Sequence, residues 1–121
     1  MSWAINEKFD VEQQVVRVIC HEIARGVWVP GDQMPTPESL ARDRILSPRA
    51  VESAFARLVE IGLLERSTDG ATRVAADARR LAQDQLLRLA RAEVDAIRTG
   101  LRHAGISAEA VERIFRESPD V

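Results

Sequence analysis

Residues 36–75 read TPESLARDRILSPRAVESAFARLVEIGLLERSTDGATRVA, and this stretch decides the fold. Two hydroxyl–proline pairs open it. Thr36-Pro37 and Ser47-Pro48 each set a hydroxyl N-cap before a proline at the first helical position, where the missing N–H costs nothing. The first pair predicts a short helix over 37–43 with Leu40 and Ala41 inward. The second predicts a helix over 48–61, punctuated by Gly62, with Val51, Ala54, Phe55, Leu58 and Val59 as its buried stripe. Arg49, Glu52, Ser53, Ala56, Arg57 and Glu60 fall on or near the opposite face. Two short strand candidates follow, 63–67 and 72–75, around Thr68-Asp69-Gly70-Ala71, whose central Asp-Gly marks a hairpin tip. A short helix, a tight connection, a second amphipathic helix and then a hairpin make a helix-turn-helix with a wing.

Upstream, Asp10 is a suitable N-cap for a helix over 11–25, where Val11, Val15, Val18, Ile19 and Ile23 recur at spacings of three and four and Gly26 ends the element. In Val27 to Pro35, the Pro30-Gly31-Asp32 turn separates short extended pieces, and Gln33-Met34-Pro35 has room for only a very short edge strand. Trp28, between Val27 and Val29, reads as a core plug beneath this turn. Trp3, Ile5 and Phe9 alternate ahead of the first helix and either fold back or pack on a partner subunit. Downstream, the helical pattern resumes over 78–104 with Leu86, Ala90, Val94, Ile97 and Leu101 in one stripe, widened by Leu87 and Leu89 and weakened at Gly100. Ser107 caps a last helix over 108–117 with Val111, Ile114 and Phe115 inward, and Pro119 marks its frayed end. The fold class is therefore mainly α with a small β-wing: a winged helix-turn-helix over 1–76 and a two-helix tail over 77–121.

Composition narrows the function. The 121 residues are 45% hydrophobic and 30% charged, too apolar for a disordered chain and long enough for one independent core. The single cysteine, Cys20, excludes an internal disulfide, and no apolar run approaches the roughly 20 residues a membrane crossing needs. The expected location is the cytoplasm, with no membrane partner. Cys20 and His21 point about 100° apart on their helix and His103 is distant, so no metal site is expected. No nucleophile motif or glycine-rich phosphate loop occurs, and the carboxylates alternate with arginines as solvated helix faces do, so neither an enzyme nor a cofactor is expected.

The chain from Ile23 to Val74 resembles the GntR family of bacterial transcription regulators. Ile23-Ala24-Arg25-Gly26, Pro30-Gly31-Asp32 and Met34-Pro35 follow that family's I-A-x-G-x-x-x-P-G-D-x-L-P segment. Leu40-Ala41, Leu46-Ser47, Val51, Ala54-Phe55, Leu58, Gly62-Leu63-Leu64, Thr72 and Val74 continue the match in register. The tail is similar to the two-helix dimerisation tail of YtrA-like members. The resemblance implies a homodimeric regulator, in most cases a repressor, on double-stranded operator DNA with an inverted repeat, its tail helices pairing two copies; it specifies no effector. The residues it implies at DNA are Thr36, Glu38, Arg44, Ser47, Pro48, Arg49, Ala50, Glu52, Ser53, Thr68, Gly70 and Thr72, with Arg42, Arg66 and Arg73 at the rim. Those it implies for pairing are Leu86, Ala90, Val94, Ile97, Leu101, Val111, Ile114 and Phe115.

The chain departs from the family at its cations. Glu38, Pro48 and Glu52 stand where arginines usually do, and the wing tip reads Asp69-Gly70-Ala71-Thr72 without a basic residue. Six arginines and six acids between Thr36 and Arg73 leave that stretch neutral, in a chain of net charge −2. Carboxylates facing phosphate oppose the attraction that supplies most non-specific affinity. The alternative reading is therefore a winged-helix dimer without DNA affinity, serving as a protein-interaction module or heterodimer partner.

Overall fold

A computed structural model describes residues 3–117; Pro119 lies outside the described residues. The elements run α1 (Val11–Ala24), α2 (Pro37–Arg44), α3 (Pro48–Glu60), β1 (Leu64–Arg66), β2 (Thr72–Val74), α4 (Ala78–His103) and α5 (Ala108–Glu117). This is a winged helix-turn-helix followed by two further helices. It falls into two compact units, divided between Leu86 and Leu87 within α4.

In the first unit, Asp10 caps α1 by accepting a hydrogen bond from the Gln13 amide, and Thr36 caps α2 through the Ser39 amide. Ser47 occupies the N-cap position of α3 in extended conformation, but its hydroxyl makes no capping bond. This corrects the expected cap: the carbonyl of Ser47 accepts the first helical bond, from Val51, and the exposed hydroxyl is left to solvent. Strands β1 and β2 pair antiparallel, Leu64 opposite Val74 and Arg66 opposite Thr72. Gln33 adds a single antiparallel bridge to Arg73, so the edge strand is as short as Pro35 allows.

The core of this unit is continuous. Val15, Ile19 and Ile23 of α1 meet Leu40 and Ala41 of α2, Val51, Phe55 and Leu58 of α3, Leu63 and Leu64, and Val74 of the wing. Ala78 and Ala82 on the first turns of α4 close it, and small residues at these positions let the helix approach. Trp28 packs half-buried against this cluster while Val27 and Val29 stay exposed. Trp3 and Ile5 fold back onto it as well, whereas Phe9 is exposed.

One polar group lies inside this apolar body. Glu22 is only 5% exposed, and its carboxyl is held by two indoles. Trp28 Nε1 donates to Oε1 at 3.2 Å and Trp3 Nε1 to Oε2 at 3.4 Å, which satisfies both oxygens.

In the second unit, Ser107 caps α5 by accepting from the Ala110 amide, and Arg98 of α4 pairs with Glu112 of α5 at 3.0 Å. Of the three α5 residues expected inward, Val111 is buried but Ile114 and Phe115 are 55% and 36% exposed. The correction has a simple cause. A two-helix unit offers α5 one apolar neighbour, and Val111 occupies the part of the face that meets it. Phe115 instead carries the Arg98 guanidinium over its ring, 5.1 Å from the centroid.

Candidate nucleic-acid interface

Helix α3 presents two chemically distinct faces because its apolar residues recur at helical spacing. Val51, Ala54, Phe55 and Leu58 are buried, which fixes the helix against α1, α2 and β1. Ser47, Pro48, Arg49, Glu52, Ser53, Ala56 and Arg57 are exposed on the other side, with Ala50 half-buried between the two. Its first turn carries no acidic residue, so the positive end of the helix dipole is uncompensated there and Arg49 stands beside it. Glu52 projects one turn further on.

Helix α2 ends at Arg44, and the chain enters α3 through Ile45 and Leu46. The Leu46 amide bonds back to the Ala41 carbonyl at 2.8 Å and the Ile45 amide reaches Ala41 and Arg42, closing a Schellman-type cap. The left-handed position of that cap, φ 56°, is held by Ile45, the one non-glycine residue with positive φ among those described. Arg44 lies over the Trp3 ring, 4.9 Å from its centroid, so the N-terminal segment helps orient this guanidinium. Glu38, on the first turn of α2, is exposed.

At the wing, the Gly70 amide bonds to the Ser67 carbonyl and the Ser67 amide to Ala71, a three-residue connection with Gly70 left-handed at φ 85°. Thr68 and Gly70 are exposed at the tip, while Thr72 is half-buried and its carbonyl accepts from Met34. The Asp69 carboxylate accepts from the Ala71 amide and pairs with Arg73 at 3.5 Å. The amide hydrogen bond first, and the guanidinium charge after it, hold Asp69 below the usual carboxylate range. Arg73 also reaches the Gly31 carbonyl at 3.5 Å. Arg73 is thus engaged from two sides.

The candidate pairing residues divide between the units. Leu86 packs partly buried against the core of the first. In the second, Val94 and Leu101 are half-buried, and Ala90, Ile97, Ile114 and Phe115 are exposed. Leu87, Ala90, Arg91, Val94, Asp95 and Arg98 line a groove of about 330 Å³ along α4. No cluster of three His, Cys, Asp or Glu with metal-binding geometry occurs among the described residues, and none of their helices is long and apolar enough to cross a membrane.

Sequence reasoning missed three features here. Arg44's partner lies 41 positions away, Ile45 carries none of the residue signals for a left-handed cap, and Glu22 looks like any solvated helix glutamate. A fourth, the pairing of Asp69 with Arg73 across the predicted hairpin tip, was also missed, although its spacing of four was the signal that could have found it.

The sequence profile described as "Bacterial regulatory proteins, gntR family" matches residues 7–74. No protein of curated function matches in sequence. Among solved structures, a GntR family transcriptional regulator from Listeria monocytogenes superposes with a TM-score of 0.76 at 18% identity, covering 95% of this chain and 100% of that one. YtrA from Sulfolobus acidocaldarius, a GntR-family transcription factor, gives 0.57 at 23% identity over 75% of this chain and 96% of its own. The AraR DNA-binding domain in complex with operator ORX1 gives 0.50 at 28% identity over 62% and 92%.

Proposed function

This chain belongs to the gntR family of bacterial regulatory proteins, and from that premise we propose that it is a cytoplasmic transcription repressor that binds an inverted-repeat operator as a homodimer. The observation that carries the reading is the exposed face of α3, with Ser47, Arg49, Ser53 and Arg57 free of the core on a helix whose other face is fully anchored. Such a helix enters a major groove with its N-terminal residues at the base edges. Arg49 is the base-reading side chain, the backbone amide of Glu38 at the start of α2 meets phosphate beside Thr36, and Thr68 and Gly70 bring the wing tip to the minor groove. That the AraR domain is seen on its operator supports this assignment for a similar fold.

The surface of the tail supports pairing through it. Leu87, Ile97, Ile114 and Phe115 are exposed on a unit too small to cover them, and the groove along α4 accepts side chains from a second copy. Two-fold pairing then sets two recognition helices against two half-sites. The test has two parts on the full-length protein. Light scattering at micromolar concentration gives a dimer, and selection from random duplexes enriches an inverted repeat. A monomer in the first, or no enrichment in the second, overturns the corresponding half of the proposal.

A second reading, the interaction module without DNA affinity, is favoured by one feature. Glu38, Glu52 and Asp69 are exposed carboxylates, and Asp69 already neutralises Arg73. Salt titrations of wild type, Glu38→Arg and Glu52→Arg on selected and random duplexes separate the two. The regulator reading predicts sequence-selective binding by wild type, with each variant gaining non-specific affinity and steepening the salt slope by about one. Binding by the variants alone favours the interaction module.

A further inference from the structure

The turn between α2 and α3 contains a residue that the fold does not need. Five positions in this chain, Gly26, Gly31, Gly62, Gly70 and Gly105, take positive φ with glycine, which has no Cβ to strain. At the sixth such position among the described residues the chain places isoleucine, a β-branched residue for which this conformation is a genuine outlier. Its side chain recovers nothing by burial, since Ile45 is 86% exposed, more than any other large hydrophobic residue described. The packing role of the turn belongs to its neighbour Leu46, which lies against the core and bonds back to Ala41. A strained backbone and an exposed apolar side chain both disfavour isoleucine here, so its return lies outside the isolated chain.

Its position says where. The Schellman-type hydrogen bonds fix the backbone on both sides of Ile45, which sets where its Cβ leaves the chain. It stands two residues before Ser47 and three before Pro48, the first residue of α3, and four before the exposed Arg49. In a major groove, the one apolar group on a base edge is the thymine C5 methyl. We propose that Ile45 reads a thymine methyl in each half-site, as a specificity-determining residue next to the recognition helix. This rests on the DNA-binding reading above.

The experiment uses the full-length protein and the duplex enriched by selection, remade with deoxyuridine replacing each thymine of a half-site in turn, which removes only the methyl. Wild type is expected to lose affinity at one such position, about fourfold for one buried methyl, and to tolerate uracil at the others. Ile45→Gly and Ile45→Asn, both residues that accept the left-handed conformation, should bind thymine and uracil equally at that position. Both should also melt no lower than wild type, because the strain is relieved. Uracil tolerated by wild type at every thymine, or variants that keep the wild-type step, overturns the proposal while leaving the regulator reading intact. If selection enriches no duplex, the regulator reading falls and takes this proposal with it.

Discussion

The winged-helix unit and the tail are built from the same kind of amphipathic helix, yet only one of them finishes its core. Val15, Ile19, Val51 and Leu58 are wholly buried, because three helices and a hairpin supply surfaces from several directions. Beyond Leu86 the single buried residue among those described is Val111, while Leu87, Ile97, Ile114 and Phe115 keep a third or more of their surface in water. A stripe of leucines and valines therefore becomes a core only when a second layer is present to receive it. Two helices of one copy do not provide that layer for each other.

The largest expected effect that would break this contrast comes from paired truncations. Phe55→Ala empties a fully buried site and should cost about 3–5 kcal/mol in urea unfolding. Phe115→Ala, measured at a dilution where the chain is monomeric, should cost less than about 1 kcal/mol, and its effect should appear as weaker self-association at higher concentration. Similar losses from both in the monomer would mean that the tail is as well packed as the winged helix.

Burial also separates the two units by pH. Desolvation raises the Cys20 thiol from 9.0 to about 11. Between those values the unfolded chain ionises while the folded one stays neutral, so this contribution is intact below pH 9 and is lost as pH rises toward 11. The expected slope is about 1.4 kcal/mol per pH unit. Urea unfolding at pH 8, 9 and 10 should show it in wild type and not in Cys20→Ala, whose own cavity cost is independent of pH. A slope that persists in Cys20→Ala assigns alkaline loss to another group. The smallest expected effect belongs to the tail. The Arg98–Glu112 pair is about half exposed at both ends, so a double-mutant cycle on α4 and α5 should return about 0.2–1 kcal/mol, diminishing with salt.

Much of both units was legible because their signals are local. Asp10, Thr36 and Ser107 sit within three residues of the amides they cap, Asp69-Gly70 shapes its own turn, and the stripe of α3 follows from spacing alone. The failures involve partners that spacing cannot supply. Ser47 has the right residue type and backbone for a cap, but a hydroxyl rotor is free to turn outward. Ile114 and Phe115 have helical periodicity, but whether a face is covered depends on what lies opposite. Glu22 is 19 residues from one indole and 6 from the other; the folded-back N-terminal segment brings Trp3 to it and the turn after α1 brings Trp28. In the candidate site, residue types and their exposed face were readable. Arg44's seat on Trp3 and the left-handed Ile45 were not, since each is set by tertiary contact or by a cap that usually employs glycine.

The two indoles that grip Glu22 make the protein its own optical probe. The chain has two tryptophans and no tyrosine, so its near-ultraviolet emission comes from Trp3 and Trp28. Both belong to the winged helix, and the tail is silent at those wavelengths. Emission therefore follows the unfolding of one unit without a contribution from the other. Trp3 is doubly informative, because its ring touches the Arg44 guanidinium while its N–H holds Glu22. An oligonucleotide that draws Arg44 toward a phosphate removes a cation from the face of that ring, and the change in colour and intensity of Trp3 light times the event without any label. Replacing Trp28 with phenylalanine would leave Trp3 as the only lamp, lit at the junction of the N-terminal arm and the helix-turn-helix.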